Sequence, residues 1–544
     1  MLGLMQSHPL MIGGLLKHAA RYHGTTEIVS KTVEGDLHRT DWAGIERRAR
    51  RLVRALQRLG VKGGDRVATL AWNSHRHLEI YYGVSGMGAV VHTLNPRLHP
   101  DDLTYIADHA ADCVLLADTT FVPLIEQIAP RLTGTLRAVV FMTDPAHMPK
   151  VSLPAGMTLG CYEDLLDAAD EDYDWPVFDE NTASAICYTS GTTGRPKGVL
   201  YSHRSTLLHA YATLAADVMG IRAVDRIMPV VPMFHANAWG VPYTSAMAGS
   251  ALVMPGRHLD GASVTALMNG ERVTMSAGVP TVWLGLLQHL RASGERLETV
   301  KRLVVGGSAA PPLLIEAFGR EYGIQLDHAW GMTETSPLGT YNSPRPMHAG
   351  LSLEERERLA QKQGRVVFGV DMKIVDDEDH ELPWDGERFG NLKVRGPWVA
   401  SAYYGQEPGS ALDENGWFMT GDVATIDPDG FMLITDRSKD VIKSGGEWIS
   451  SIELENIAVS HPDVAEAAVI GAAHKKWDER PLLLVVARPG ATLTPEAVLA
   501  VYEGRIAKWW LPDAVIVVDE LPHTATGKLQ KTTLRAKYGN YLME

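Results

Sequence analysis

Up to about residue 350 the chain alternates short apolar runs with amphipathic windows. The runs "RVATLA", "AVVHTL", "CVLLA", "AVVFM", "RIMPVV", "ALVMP" and "RLVVGG" are rich in β-branched residues, the pattern of strands buried on both faces. Between them, "WAGIERRARRLVRALQRLG" sets Ile45, Leu52, Leu56 and Leu59 at helical spacing and predicts an amphipathic helix. Strands alternating with helices imply largely parallel sheets covered by helices, with binding sites beyond the carboxyl ends of the strands.

From about 364 to 435 the texture changes to short strand patterns broken by turn residues, which reads as a β-rich subdomain. Asp385-Gly386 and Asp429-Gly430 fit tight turns between antiparallel strands. After "DRSKDVIKSGGEWIS" a new pattern of helix, strand, strand, helix, strand begins, so a boundary is expected at Asp436 to Asp440, followed by a small α+β domain. The predicted fold class is thus α/β with a β-rich subdomain, a large N-terminal domain of mixed and parallel sheets plus a small C-terminal α+β domain.

Composition narrows the function. At 544 residues the chain exceeds one ordinary core, and 45% hydrophobic with 21% charged residues fits a globular protein. A net charge of −14 argues against binding nucleic acid through the overall field. Cys113, Cys161 and Cys187 are widely spaced without metal-ligand partners, so buried, reduced thiols are expected rather than disulfides or zinc. The amino terminus lacks a basic region before its apolar patch, and no apolar window is long enough for an integral membrane segment. A cytoplasmic location is the expectation.

The stretch "YTSGTTGRPKGVLYSHRS" at 188–205 looks like a phosphate loop but fails the Walker count: Pro196 or Val199 stands where the second glycine belongs. Gly191 and Gly194 still allow backbone N–H groups to converge on an anion, Thr189, Ser190, Thr192 and Thr193 add hydroxyls, and Lys197 adds a cation. A flexible surface turn is the alternative for such a loop standing alone. Further segments follow in order: "GGSAAPP" from Gly306, "HAWGMTETSPLG", "WFMTGDVATIDPDGF", "DRSKDVIKSGGEWISSIELE" and "TATGKLQK".

With those motifs in that order, the sequence closely resembles the adenylate-forming superfamily of acyl-CoA synthetases, luciferases and peptide-synthetase adenylation domains, over nearly its whole length. "VVPMFHANAWG" and "HKKWDERPLL" resemble the medium-chain fatty-acid–CoA ligases and the branch with 3-methylmercaptopropionate–CoA ligases. The resemblance implies ATP, Mg²⁺ and coenzyme A as cofactors. A small carboxylic acid would be activated as acyl-adenylate with loss of pyrophosphate, then transferred to CoA with loss of AMP. It also implies an N-terminal AMP- and acyl-binding domain at 1–436, a hinge at 437–440 and a mobile C-terminal domain at 441–544. A homodimer is the family expectation.

The residue roles follow from the same resemblance. The loop from Thr189 to Lys197 would hold the β- and γ-phosphates, and Glu334 with Thr189 would hold Mg²⁺. Gly307, Ser308, Ala309 and Ala310 would line the adenine, with Trp330 stacking on the base where the family more often has tyrosine, and Gly331, Met332 and Thr333 following along the nucleotide. Asp422 would accept from the ribose hydroxyls, assisted by Arg437. His235 would lie beside the acyl carboxylate, with Trp239 and Gly331 lining the acyl pocket; Trp239 as ordinary core is the alternative. The spacing of His235 and Trp239 would put both on one face if the segment is helical.

Lys528 would neutralise charge during adenylation, and its neighbour Lys531 reads as a solvated surface charge. Lys439 matches the hinge. Lys443, Ser444, Gly445, Gly446, Glu447 and Trp448 would face the site after domain rotation. Lys475, Lys476 and Arg480 fit either CoA phosphates or a solvated cluster. A ligase that loads a carrier-protein thiol, an enzyme that oxidises the adenylate, and a non-catalytic nucleotide-binding protein are the rival readings.

Overall fold

The computed structural model describes residues 1, 3–132, 134–189, 195–444, 447–523 and 529–543. The seven apolar runs all form strands, in two sheets. One sheet joins Arg66–Leu70, Val90–Thr93, Asp112–Ala117, Ala138–Phe141, Thr158–Cys161 and Ala183–Tyr188 in parallel, and closes with the antiparallel edge strand Gly198–Ser202. The other has a parallel centre of Glu27–Lys31, Ala251–Met254, Arg226–Pro229, Met275–Gly278, Arg302–Val305 and Gln325–Gly331. Its edges are antiparallel: Leu37–Asp41 on one side, Leu338–Tyr341 and Arg365–Val366 on the other.

The helix Trp42–Arg58 forms as its periodicity requires. Asp41 caps it by accepting from Gly44 N–H at 2.7 Å, and Trp42, Ile45, Ala49, Leu52, Val53 and Leu56 are buried along one stripe. It packs on the helix His75–Gly86, which is buried all round and carries Tyr81 and Tyr82. Charge fixes that pairing as well. Arg48 meets the fully buried Glu79 at 2.7 Å and Glu163 at 3.0 Å, Tyr162 donates to Glu79 at 2.7 Å, and Arg76 meets Glu163 and Glu34, each at 2.8 Å. All three cysteines are buried and free.

The β-rich stretch forms a four-stranded antiparallel sheet, Asp371–Val375, Gly390–Arg395, Phe418–Ile426 and Met432–Arg437 in that order. Asp429-Gly430 makes the expected turn, with Gly430 N–H bonded to Asp427 C=O at 2.8 Å. Asp385-Gly386 does not: it lies in the long connection between Val375 and Gly390, where Gly386 N–H reaches Ile426 C=O on another strand. Asp385 there caps a local turn by accepting from Glu387 and Arg388 N–H.

Beyond residue 440 the chain builds a smaller domain on a further sheet. Val464–His474 and Asp478–Ala487 make a long antiparallel pair, joined by Ala514–Val518 and the short hairpin Ile442–Ser444/Glu447–Ile449. Lys531 corrects its sequence reading. It is 8% exposed, meeting Glu455 at 2.6 Å and donating to Ser451. The helix Lys531–Tyr538 packs on Val464–His474 beside the helix Ser451–Val459, which supplies both partners. Burial pushes Glu455 up to about 7 against the pull of that ammonium. Ser451 N–H in turn donates to Asp436 at 2.7 Å.

Truncating Arg48 leaves the Glu79 carboxylate buried without its cation. Arg48→Ala is expected to cost about 3–5 kcal/mol, seen as a lowered thermal midpoint, with Glu79→Gln in the same background recovering part of the loss.

Candidate active site

The two large sheets meet where the segment after Pro229 runs past the carboxyl end of the strand Arg66–Leu70. The Asn73 amide bridges them: its N–H₂ donates to Pro229 and Val231 C=O at 2.8 and 2.9 Å, and its oxygen accepts from Met233 N–H at 2.6 Å. This fixes the approach to His235. The helix suggested by the spacing of His235 and Trp239 is not formed. Ala236, Asn237, Ala238, Trp239 and Gly240 all have positive φ, between 42° and 77°, so the segment is a left-handed turn. Such a conformation costs an L-residue roughly 1–2 kcal/mol each.

The left-handed turn carries the Trp239 indole against the chain at Gly306 and Gly307. A Cβ added to Gly306 would lie 3.1 Å from Trp239 Cη2, so the ring packs on the start of the turn that continues through Ser308, Ala309 and Ala310. Gly307 has φ +84°, which permits that turn. Trp239 is 8% exposed, and His235 is half-buried at the head of the turn.

The next strand, Gln325–Gly331, carries Trp330 as its penultimate residue. Its indole packs over Gly339 and its N–H donates to Asp422 Oδ2 at 2.9 Å. Gly331 is required there, because any Cβ would sit 1.7 Å from Pro337 C=O. Cross-strand register places Asp422 opposite Arg437, whose Nε meets Oδ1 at 2.9 Å. One buried carboxylate is thus held on both oxygens, leaving further lone pairs on each.

Met332 and Thr333 follow Trp330 and Gly331; Tyr201 donates to Thr333 C=O at 2.7 Å. Glu334 is buried, accepts from the Tyr403 hydroxyl at 2.8 Å, and its own C=O accepts from Ala400 N–H at 2.7 Å. Burial raises the Glu334 carboxyl above the ordinary range, with the Tyr403 hydrogen bond opposing. Lys197 lies over the other side of that tyrosine, 4.7 Å from its ring centre. Tyr403 therefore joins Glu334 to the base of the Gly/Thr-rich loop, where Thr189 N–H bonds Lys197 C=O at 2.9 Å. Ser190, Gly191, Thr192, Thr193 and Gly194 lie outside the described residues, as do Gly445, Gly446 and Lys528.

The C-terminal candidates form a separate group. Lys443 is exposed, with Nζ 3.4 Å from Asp377 and 5.1 Å from the Trp448 ring centre. Its N–H donates to Glu479 at 3.0 Å; Glu447 follows in the other strand of the same hairpin, and Lys439 is exposed just before it. Ser444 is buried and accepts from Arg480 at 3.3 Å. That arginine also meets Asp513 and donates to Trp509 and Leu511 C=O, so its donors are committed to the fold. Lys476 lies over Trp477 at 4.4 Å.

Tyr403, Tyr201, Tyr81 and Asn73 are the participants that sequence reasoning missed. Tyr201 lies within the 188–205 stretch but has no role assigned there, and the other three lie in no motif; their contacts arise from elements distant in the chain.

Residues 15–404 match the AMP-binding enzyme family, and residues 453–528 match the AMP-binding enzyme C-terminal domain. The chain belongs to the AMP-binding enzyme family. Among its relatives, a 3-methylmercaptopropionyl-CoA ligase of Ruegeria lacuscaerulensis is 53% identical, with 100% of both chains covered. A medium-chain-fatty-acid–CoA ligase of Ectopseudomonas oleovorans is 51% identical, covering 100% of this chain and 98% of its own. The crystal structure of an anthranilate CoA ligase in complex with anthranoyl-AMP superimposes with a TM-score of 0.85 at 25% identity, over 98% of this chain and 99% of that one. This AMP-binding enzyme has no described helix long and apolar enough to cross a membrane.

If Trp330 orients Asp422 in this family member, Trp330→Phe keeps a ring and deletes only the N–H donor. AMP affinity, measured by calorimetry, is expected to fall roughly tenfold, the worth of one charge-assisted hydrogen bond.

Proposed function

We propose that this protein is an ATP-dependent acyl-CoA ligase that activates a short- or medium-chain carboxylic acid as the acyl-adenylate and passes the acyl group to CoA. The observation that carries the reading is the Asp422 carboxylate, held by Trp330 and Arg437 in the same wall as Glu334 and the Gly306–Ala310 turn. It is a fixed, charged acceptor suited to the ribose hydroxyls of a nucleotide. Full-length similarity to CoA ligases supports the same conclusion.

In the first half-reaction an oxygen of the acid attacks the α-phosphorus of ATP and pyrophosphate departs. In the second, CoA sulfur attacks the acyl carbon, AMP departs and the thiol proton passes to solvent. Trp330 packs against the adenine beside Gly307, Ser308, Ala309 and Ala310, Asp422 and Arg437 orient the ribose, and Gly331, Met332 and Thr333 follow the chain of the nucleotide toward its α-phosphate. The loop from Thr189 through Ser190, Gly191, Thr192, Thr193 and Gly194 to Lys197 receives the departing phosphates. Lys528 neutralises charge at the reacting phosphorus, and His235 orients the acid. Thr189 and Glu334 offer hard oxygen donors fit for Mg²⁺, which would supply counter-charge to the phosphates.

The C-terminal domain, 441–544, turns on the N-terminal domain, 1–436, about residues 437–440, with Lys439 at the pivot. Turning exchanges Lys528 for the hairpin of Lys443, Ser444, Gly445, Gly446, Glu447 and Trp448, which admits the pantetheine arm. Trp239, packed on Gly306 and Gly307, closes the acyl pocket and favours small acids, with 3-methylmercaptopropionate first among those to test. A homodimer in the cytoplasm completes the reading.

A panel of acids from acetate to dodecanoate, with 3-methylmercaptopropionate and cinnamate, decides the activity. AMP release is expected to require both an acid of short or medium length and ATP, with full turnover only when CoA is present; ADP release instead would refute it. Lys528→Ala is expected to lower acyl-adenylate formation by roughly a thousandfold, from about 4 kcal/mol of lost charge interaction, while thioester formation from synthetic acyl-adenylate stays near normal. Equal loss in both assays would remove Lys528 from its role.

A further inference from the structure

Five consecutive left-handed residues persist only where their surroundings over-determine them. Here the surroundings are specific. Asn237 is buried, and its side-chain oxygen lies 3.2 Å from Tyr81 Oη and 3.5 Å from Cys187 Sγ. Tyr81, itself wholly buried in the helix His75–Gly86, shares its one hydroxyl hydrogen between Asn237 Oδ1 and Met233 C=O just before the turn. Beyond the turn, Tyr82 of the same helix donates to Pro242 C=O at 3.0 Å. Gly240 closes the run at φ +77°, where a Cβ would stand 2.8 Å from the His209 ring.

The sequence of this turn is not built from residues that favour it. Alanine and tryptophan resist left-handed backbone, whereas asparagine is among the L-residues that accept it. Asn237 thus serves twice: its backbone tolerates the conformation, and its amide oxygen tethers the middle of the turn to the tyrosine. Two residues further on, Trp239 projects onto Gly306 and Gly307.

We propose that Asn237 and Tyr81 are positioning residues for acyl binding: together they hold the left-handed turn that seats the Trp239 indole and the half-buried His235 at the acid's end of the site. This rests on the acyl-CoA ligase reading above. Neither residue touches the substrate. Their effect falls chiefly on the acid, because Trp330, Asp422 and Arg437 stand on other strands and the turn meets the nucleotide wall only where Trp239 packs on Gly306 and Gly307.

Steady-state kinetics with the preferred acid test it, because the two roles of Asn237 separate by substitution. Asn237→Ala loses both tolerance and tether, and the KM for the acid is expected to rise by roughly tenfold or more while the KM for ATP stays within about threefold. Asn237→Gly keeps the tolerance alone and should fall between, and Asn237→Asp, which keeps an acceptor oxygen, should recover most of the loss. Tyr81→Phe removes one oxygen and should raise the acid KM by roughly fivefold with a broadened chain-length profile; it decides the matter if the Asn237 variants fail to fold. An unchanged acid KM in Tyr81→Phe, or acid and ATP KM values that rise in parallel, overturns the positioning role. A wild-type protein that releases no AMP with any acid overturns the ligase reading itself, an outcome read before any variant is made.

Discussion

The Asn73 amide is the constraint on which the site depends. Two large sheets could pack in many relative positions through apolar contact alone, since burial is non-directional. Three short hydrogen bonds from one side chain, buried at 3% exposure, select one of them. They act on the strand end at Pro229 and on the chain that follows, so the join between sheets and the shape of the turn toward His235 are set by the same group. The turn toward His235 is built outward from there, while Trp330 stands near the far edge of the second sheet.

That division explains where polar groups are dense. Asp422 and Arg437 come from the antiparallel sheet and meet by register, while Tyr403, from a loop beside it, meets Glu334, which follows a parallel strand. The two carboxylates lie near each other with Arg437 as a nearby cation, and burial raises the Glu334 carboxyl above the ordinary range while the Tyr403 hydrogen bond and Arg437 oppose it.

Much of the fold is legible in the sequence because it depends on local periodicity. Each of the seven apolar runs is a strand, the 42–58 window is a helix, and from 451 to 518 the order helix, strand, strand, helix, strand is as read, whereas the helix Lys531–Tyr538 beyond it has no counterpart in that reading. What is not legible depends on long-range meeting. Asp422 faces Arg437 only through strand register, and Lys531, charged and flanked by polar residues, is buried because Glu455 waits some seventy-six residues earlier in the chain. The Asp385-Gly386 pair has turn chemistry but sits in a long connection. The spacing of His235 and Trp239 suggested a helical face, and the backbone there has the opposite hand, a choice made by Tyr81 and Asn237 rather than by propensity. Among the described motif residues, Trp330, Asp422 and Arg437 meet directly.

The hydrogen bond from Ser451 N–H to Asp436 has a consequence for motion. The first turn of a helix in the smaller domain takes its acceptor from the last strand of the larger one, on the opposite side of residues 437–440. Any swing about that segment must strip this N–H of its partner and bare the buried Asp436 carboxylate to water. A hydrogen bond to a charged group contributes about 1.5–3 kcal/mol, so this single contact biases the resting orientation by roughly tenfold or more. If residues 437–440 are the pivot proposed above, that pivot is a detent rather than a free joint.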